Sequence, residues 1–199
     1  MIPHIVFHEN NPNYFPGPNH WQITANSKTS CHSQPPVLAS VILEMVKDGD
    51  DYDLKKSQSL FNSIMAYHEW FFLARDPNNE GFLSIIHPWE SGRDNCPDWD
   101  LGLKKVTIPE DFEEYLRCDT SHVEVSQRPT NEDYDKFMSI VQYGKNCNWD
   151  PLTMYNHGPF LAIDPGINFI FLKANKDLLS LAKLLNYKNK IHKIEDWIN

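Results

Sequence analysis

Residues 86–100 read Ile-His-Pro-Trp-Glu-Ser-Gly-Arg-Asp-Asn-Cys-Pro-Asp-Trp-Asp and combine indole rings, carboxylates, a guanidinium and an amide around one glycine. Tryptophan faces stack on the apolar faces of pyranose rings, and the polar groups suit hydrogen bonds to vicinal hydroxyls. Glycine and proline favour a tight, irregular turn that aims one acidic side chain into a cavity. For a lone Asp-Asn pair a turn cap would be the favoured interpretation. The surrounding motif instead predicts a sugar-cleaving loop in which Asp94 is the acid.

This loop resembles the acid-bearing loop of glycosidases built on the (α/α) toroid, the group around glycoside hydrolase family 63 and the trehalases. The resemblance is to the mannosylglycerate and glucosylglycerate hydrolase-like branch, whose loop reads W-E-S-G-x-D-N-S-P. It implies that Asp94 is the general acid of an α-glycosidase. Cys96 stands where that family commonly has serine.

The resemblance extends along nearly the whole chain. Its further matches are Pro-His-Ile-Val-Phe at 3–7, Tyr-Phe-Pro-Gly-Pro at 14–18, Ser-Gln-Pro-Pro-Val at 33–37, Arg-Pro-Thr at 128–130 with Tyr134, and Asp-Pro at 164–165. These matches imply an all-α fold, part of a six-hairpin (α/α) toroid with long loops and little strand. We expect one such domain over residues 1–199.

The resemblance also implies roles in substrate binding for several residues. It places Trp89 and the backbone of Gly92 against the sugar of the cleavage subsite, and it makes Gln34 and Tyr14 substrate-binding residues. Arg128 and Tyr134 resemble the pair that holds the carboxylate of glycerate, since an arginine fork suits a small carboxylate.

Several of these binding roles have a structural alternative. A core position is the alternative for Trp89 and for Tyr134, because buried rings are common. Gln34 precedes two prolines at the start of a helix, where a backbone group often satisfies a polar side chain. Glu90 we interpret as a residue that holds the loop in shape.

Glycoside cleavage needs a second carboxylate, which inverting enzymes hold about 6.5 to 9.5 Å from the acid. In the resembling hydrolases this base is a glutamate far downstream, in a segment without counterpart in these 199 residues. We therefore expect a fragment of a glycosidase that hydrolyses poorly or not at all alone. The alternative is a non-catalytic carbohydrate-binding or interaction module derived from that fold. An opened toroid also predicts self-association through exposed apolar helix faces.

Charge and composition narrow the other possibilities. A net charge of -9 disfavours nucleic-acid binding, which needs clustered Lys and Arg. The four cysteines form no CxxC pair, and the start of the chain does not resemble a signal peptide, so we expect a cytoplasmic protein without disulfides. No membrane association is expected.

The nine histidines lack zinc-site spacing and no cofactor motif is present, so we expect no metal and no cofactor.

Periodicity and capping signals predict the helices. A stripe at Leu60, Ile64, Tyr67 and Phe71 indicates a helix over about 54–74. Helices are also expected over about 35–47, 110–116, 131–143 after a capping box, 165–186 after an Asp-Pro start, and 190–197. Residues 83–86 are the only candidate strand.

Overall fold

A computed structural model of the chain describes residues 1–9, 15–21, 28–120 and 123–199. The contacts divide it into two compact units. The first comprises Met1, Pro35–Leu83 and Asp164–Asn199, and the second comprises Ile2–Gln34 and Ser84–Ile163. The expectation of one domain over residues 1–199 stays a prediction.

The helices of the first unit are α2 (Leu38–Asp48), α3 (Asp51–Arg75), α7 (Pro165–Leu184) and α8 (Lys188–Asp196). The predicted stripe of α3 is largely buried, since Ile64, Tyr67 and Phe71 are each less than 5% exposed. α7 begins where the Asp-Pro signal predicts, because the Asp164 carboxylate accepts hydrogen bonds from the backbone N–H groups of Gly166 and Ile167. The core of this unit packs α2, α3, α7 and α8 through mostly aliphatic side chains, with the Phe61 ring among them.

The second unit contains α1 (Pro18–Trp21), α4 (Asp100–Leu103), α5 (Asn131–Asn146) and α6 (Pro151–His157). It also holds short 3₁₀ helices at Pro88–Ser91, Pro97–Trp99 and Val125–Gln127. The hydroxyl of Thr130 accepts a hydrogen bond from the Asp133 backbone N–H, so the predicted capping box starts α5. α1, α4, α6 and the 3₁₀ helices were not predicted.

Strand β1 (Ser84–Ile85) lies within the predicted segment and pairs antiparallel with β2 (Ala162–Ile163), in the register Ser84 to Ile163 and Ile85 to Ala162. β2 was not predicted. The described part of the chain is therefore mostly helical with little strand, as the fold class predicts.

The helix predicted over 110–116 is wrong. This segment has only a turn at its start, and no helix follows in it. The Tyr115 hydroxyl donates to the Asp135 carboxylate at 2.5 Å, and the Tyr115 ring stacks on Phe15 with 5.0 Å between ring centroids. These contacts within the second unit override the local signal from Pro109.

None of the helices in the described residues combines the length and the apolar character that crossing a membrane requires.

Candidate active site

The acid-bearing loop has a defined local structure. Its 3₁₀ helix Pro88–Ser91 is capped by His87, whose ring nitrogen Nδ1 accepts a hydrogen bond from the Trp89 backbone N–H at 3.0 Å. Gly92 ends this helix with φ at 69°, a left-handed conformation that glycine adopts without strain. The helix therefore ends two residues before Asp94.

Two side chains fix the start of this loop. The buried Glu90 carboxylate accepts hydrogen bonds from the backbone N–H groups of Ser33 at 3.2 Å and Ile86 at 3.1 Å. The Gln34 amide donates to the Trp89 carbonyl oxygen at 3.0 Å. Glu90 thus holds the loop in shape. For Gln34 the backbone contact matches the structural alternative, and its substrate-binding role stays a prediction.

Asp94 is half-buried and lines a cavity of about 300 Å³, a volume at the lower end of small-molecule sites. Arg128 lines the same cavity, although it lies 34 positions later, so the fold brings two of the predicted site residues together. The other lining residues are Asn95, Cys96, Asp100, Leu103, Ser126, Gln127, Pro129, Thr130, Asp133 and Phe137. The wall is mixed in character, with carboxylates, hydroxyls and amides beside the apolar side chains of Leu103, Pro129 and Phe137.

Neither Trp89 nor Trp99 is among the described residues that line this cavity. Trp99 is 3% exposed, and its indole N–H donates to the Arg93 carbonyl oxygen at 2.8 Å. The half-buried Trp89 packs on His87, with 4.3 Å between ring centroids, and on Phe137 at 5.7 Å. Both rings make packing contacts within the unit, and the substrate-binding role of Trp89 stays a prediction.

Arg93 lies next to Asp94 in sequence, and its guanidinium is held by other groups. It donates to the Asp98 carboxylate at 3.2 Å and lies over the Trp99 ring at 5.4 Å from the ring centre. This exposed ion pair is worth little stability.

Arg128 and Tyr134 are linked by residues that the sequence interpretation missed. Arg128 Nε donates to the Asp119 carboxylate at 2.8 Å, and Arg117 also binds that carboxylate. The Arg117 guanidinium lies over the Tyr134 ring at 4.5 Å. No motif marks Asp119 or Arg117; only their short spacing, Arg-x-Asp, hints at a pair.

Tyr134 itself is 3% exposed and packs against Trp89 with 6.1 Å between ring centroids. Burial, with the nearby Asp119 charge, raises the pKa of its phenol. Tyr134 therefore occupies a core position, as the structural alternative predicts, and its role towards glycerate stays a prediction.

Gly92 has an exposed backbone at the end of the 3₁₀ helix. Tyr14 lies outside the described residues.

Two histidines are buried beneath the loop. His32 and His87 are each 0% exposed, with ring centroids 4.5 Å apart, and His87 Nε2 lies 3.1 Å from the Phe137 carbonyl oxygen. Burial, reinforced by the neighbouring His32, lowers the pKa of His87 well below its ordinary value. These rings are core side chains. Across the described ranges, no three His, Cys, Asp or Glu residues converge in a way that would hold a metal ion.

Comparison with known proteins supports the interpretation of this loop. A family model, the mannosylglycerate hydrolase MGH1-like glycoside hydrolase domain, matches residues 1–199. A mannosylglycerate hydrolase of Thermus thermophilus is 42% identical over 100% of this chain and 48% of its own length.

Solved structures agree with the family match. The GH63 mannosylglycerate hydrolase from a second strain of Thermus thermophilus, in complex with Tris and D-glycerate, aligns with a TM-score of 0.93 at 42% identity, covering 100% of this chain and 47% of that one. The same enzyme in complex with glucose aligns with a TM-score of 0.84 at 40% identity and the same coverage.

The chain thus spans about half the length of the relatives it matches. The predicted fold class, all-α and part of an (α/α) toroid, is confirmed by the structural match, as is the predicted resemblance to family 63. The chain belongs to the MGH1-like glycoside hydrolase domain family, within the family 63-like glycosidases.

Proposed function

We propose that this chain supplies the general acid and the aglycone-binding arginine of a glycosidase that hydrolyses a glycoside of glycerate. The observation that carries the proposal is that Asp94 and Arg128 line one cavity of about 300 Å³. The relatives support the substrate class, since they are named mannosylglycerate hydrolases and one solved structure contains D-glycerate. The sugar is mannose or glucose.

In this proposal Asp94 protonates the glycosidic oxygen as the bond to the sugar breaks, so that the aglycone leaves with a neutral hydroxyl group. A second carboxylate activates water on the opposite face of the ring in the inverting reaction. The sequence prediction assigns that role to a glutamate in a segment without counterpart here. No metal or cofactor is required for either step.

Arg128 binds the carboxylate of the glycerate group in the same cavity. A planar guanidinium forms two parallel hydrogen bonds with a carboxylate, which fixes the orientation of the leaving group as well as its charge. The polar side chains around the cavity, Thr130 and Gln127 among them, suit the hydroxyl groups of the ligand. Trp89, Gly92, Gln34, Tyr14 and Tyr134 complete the proposed substrate-binding set.

The test measures binding and turnover separately. Purified chain is titrated with D-glycerate, mannosylglycerate and glucosylglycerate by calorimetry, and released D-glycerate is followed over hours. We expect binding, and turnover that is slow and is lost in Asp94→Asn. Arg128→Gln should weaken D-glycerate binding by about 10-fold or more, because charge-assisted hydrogen bonds are lost. Lys104→Gln, an exposed cation of the same unit, is the control for the charge change.

The outcomes discriminate between the alternatives. Turnover that disappears in Asp94→Asn supports the enzyme. Saccharide binding without turnover supports the non-catalytic module. If none of the three ligands binds, the proposal is wrong.

Self-association and a cytoplasmic location are further proposals for this chain. The first is supported by large apolar side chains that are exposed on helices, such as Phe169 at 73% and Leu73 at 71%. The second is supported only by the sequence features given above.

A further inference from the structure

Asp119 binds two guanidinium groups, one of which belongs to Arg128 in the cavity wall. Its oxygen Oδ1 accepts from Arg117 Nε at 2.6 Å, and its oxygen Oδ2 accepts from Arg117 Nη2 at 2.9 Å. Oδ2 also accepts from Arg128 Nε at 2.8 Å. The side chain of Asp119 is only 12% exposed, so these bonds are partly shielded from water.

Arg117 donates four hydrogen bonds within the protein, two of them to Asp119. Its Nη1 donates to the Asn131 side-chain oxygen at 2.9 Å, and its Nη2 also donates to the Pro129 carbonyl oxygen at 2.7 Å. Its plane lies over the Tyr134 ring. Arg117 therefore acts as the fixed counter-ion of Asp119 and contributes no donor to the cavity.

Arg128 is held through one nitrogen, because only its Nε donates a hydrogen bond to Asp119. Within residues 1–9, 15–21, 28–120 and 123–199, the structure gives no hydrogen bond from Arg128 Nη1 or Nη2. A guanidinium presents five N–H groups in a rigid plane. With Nε bound to Asp119, the edge formed by Nη1 and Nη2 remains for a ligand carboxylate.

The charges favour the same interpretation. Burial opposes ionisation of Asp119, but hydrogen bonds from Arg117 and Arg128 outweigh it and lower the pKa of that carboxyl group. Two guanidinium groups and one carboxylate leave one net positive charge on this group of three side chains, of which Arg128 lines the cavity. Among the described residues that line the cavity, Arg128 is the cationic one and Asp94, Asp100 and Asp133 are acidic, so the position of Arg128 decides whether an anion can bind.

We propose that Asp119 is a positioning residue that holds Arg128 by its Nε, so that the terminal edge of the guanidinium receives the carboxylate of the glycerate group end-on. The proposal rests on the function proposed above. It makes Asp119, which does not itself contact substrate, a determinant of preference for acidic over neutral aglycones.

The experiment compares Asp119→Asn and Asp119→Ala with the wild-type chain. Calorimetry measures the Kd for D-glycerate and for methyl α-D-mannopyranoside, which carries no carboxylate. We expect the Kd for D-glycerate to rise about 10-fold or more, because Arg128 loses the contact that orients its terminal edge, and two parallel hydrogen bonds to a carboxylate depend on that orientation. This loss outweighs the attraction from the added net positive charge. The Kd for the neutral mannoside should stay unchanged. Asp111→Asn removes the same charge from an exposed side chain of the same unit and should change neither Kd.

A second readout follows the contact directly. In nitrogen-edited NMR spectra, the Arg128 Nε–H should exchange slowly in the wild type and rapidly in Asp119→Ala. Circular dichroism confirms that each variant is folded.

Two results would overturn the inference alone: wild-type affinity for D-glycerate in both folded variants, or equal weakening for D-glycerate and the mannoside. If the wild type fails to bind D-glycerate, the inference and the proposed function fall together.

Discussion

The carboxylate of Glu90 accepts a hydrogen bond from the backbone N–H of Ser33 at 3.2 Å, which joins two segments 57 positions apart. Its other oxygen accepts from the Ile86 backbone N–H. Because Glu90 is only 2% exposed, both donors would be left without water if it were removed. The contact anchors the loop that carries Asp94.

Glu90→Gln should therefore lower the free energy of unfolding. The amide provides one acceptor oxygen, and its NH₂ group then faces the other backbone N–H, which loses its partner. We expect a loss of about 1–3 kcal/mol in urea unfolding. Glu114→Gln makes the same change at an exposed position and should have little effect. An unchanged urea midpoint for Glu90→Gln would contradict the anchoring role.

Gly144→Ala tests the packing of α5 against Trp149. A Cβ at position 144 would lie 2.4 Å from an atom of the indole ring, and the indole N–H is fixed on the Trp21 carbonyl oxygen at 2.8 Å. Alanine gains about 1 kcal/mol over glycine in helix propensity, while overpacking costs about 1–3 kcal/mol. Because the ring is held, we expect overpacking to dominate and the thermal midpoint to fall.

The control for this substitution is Asn146→Ala at an exposed position near the end of α5. It should leave the midpoint nearly unchanged. A Gly144→Ala chain that melts at or above the wild-type temperature would show that the indole ring moves aside.

His68 should make the stability of the first unit depend on pH. Burial lowers its pKa to about 4, and its hydrogen bond with Asn175 offsets this only in part. The unfolded chain therefore binds a proton near the ordinary value of about 6.5, while the folded chain does not. The stability that results from this pKa difference is fully present above pH 6.5. It is lost as the pH falls towards 4, at roughly 1.4 kcal/mol per pH unit.

His68→Gln removes this titration. Urea unfolding at several pH values should show a shallower decline between pH 6.5 and 4 than the wild type. The exposed His192, changed to Gln, provides the matched control and should preserve the wild-type slope. Equal slopes in all three proteins would contradict the assignment to His68.

Phe169→Ser tests the proposed self-association. The Phe169 side chain is 73% exposed on α7, so its loss should not disturb the core. We expect less binding of a hydrophobic dye and a smaller mean mass in light scattering. Lys176→Ser, at an exposed position on the same helix, should change neither quantity. A wild-type chain that is monomeric and does not bind dye would exclude self-association.

Local signals predicted the starts of α5 and α7. Thr130 with Asp133, and Asp164 with Pro165, form caps from residues close in sequence, so the sequence contains everything that the geometry needs. The segment 110–116 failed as a helix because Tyr115 finds Asp135 and Phe15, partners that no local signal specifies. The stripe on α3 succeeded since burial of one helix face leaves a periodic pattern.

The sequence by itself determined the family, the helical class and the identity of the loop around Asp94, because these depend on residue types at fixed local spacing. Only the tertiary structure decided what surrounds that acid. Trp89 and Trp99 are not among the described residues that line the cavity. Arg128 lines it, and its Nε donates to the Asp119 carboxylate. Such pairings depend on where distant backbone segments meet, and a side chain's partners follow from that path rather than from its neighbours in sequence.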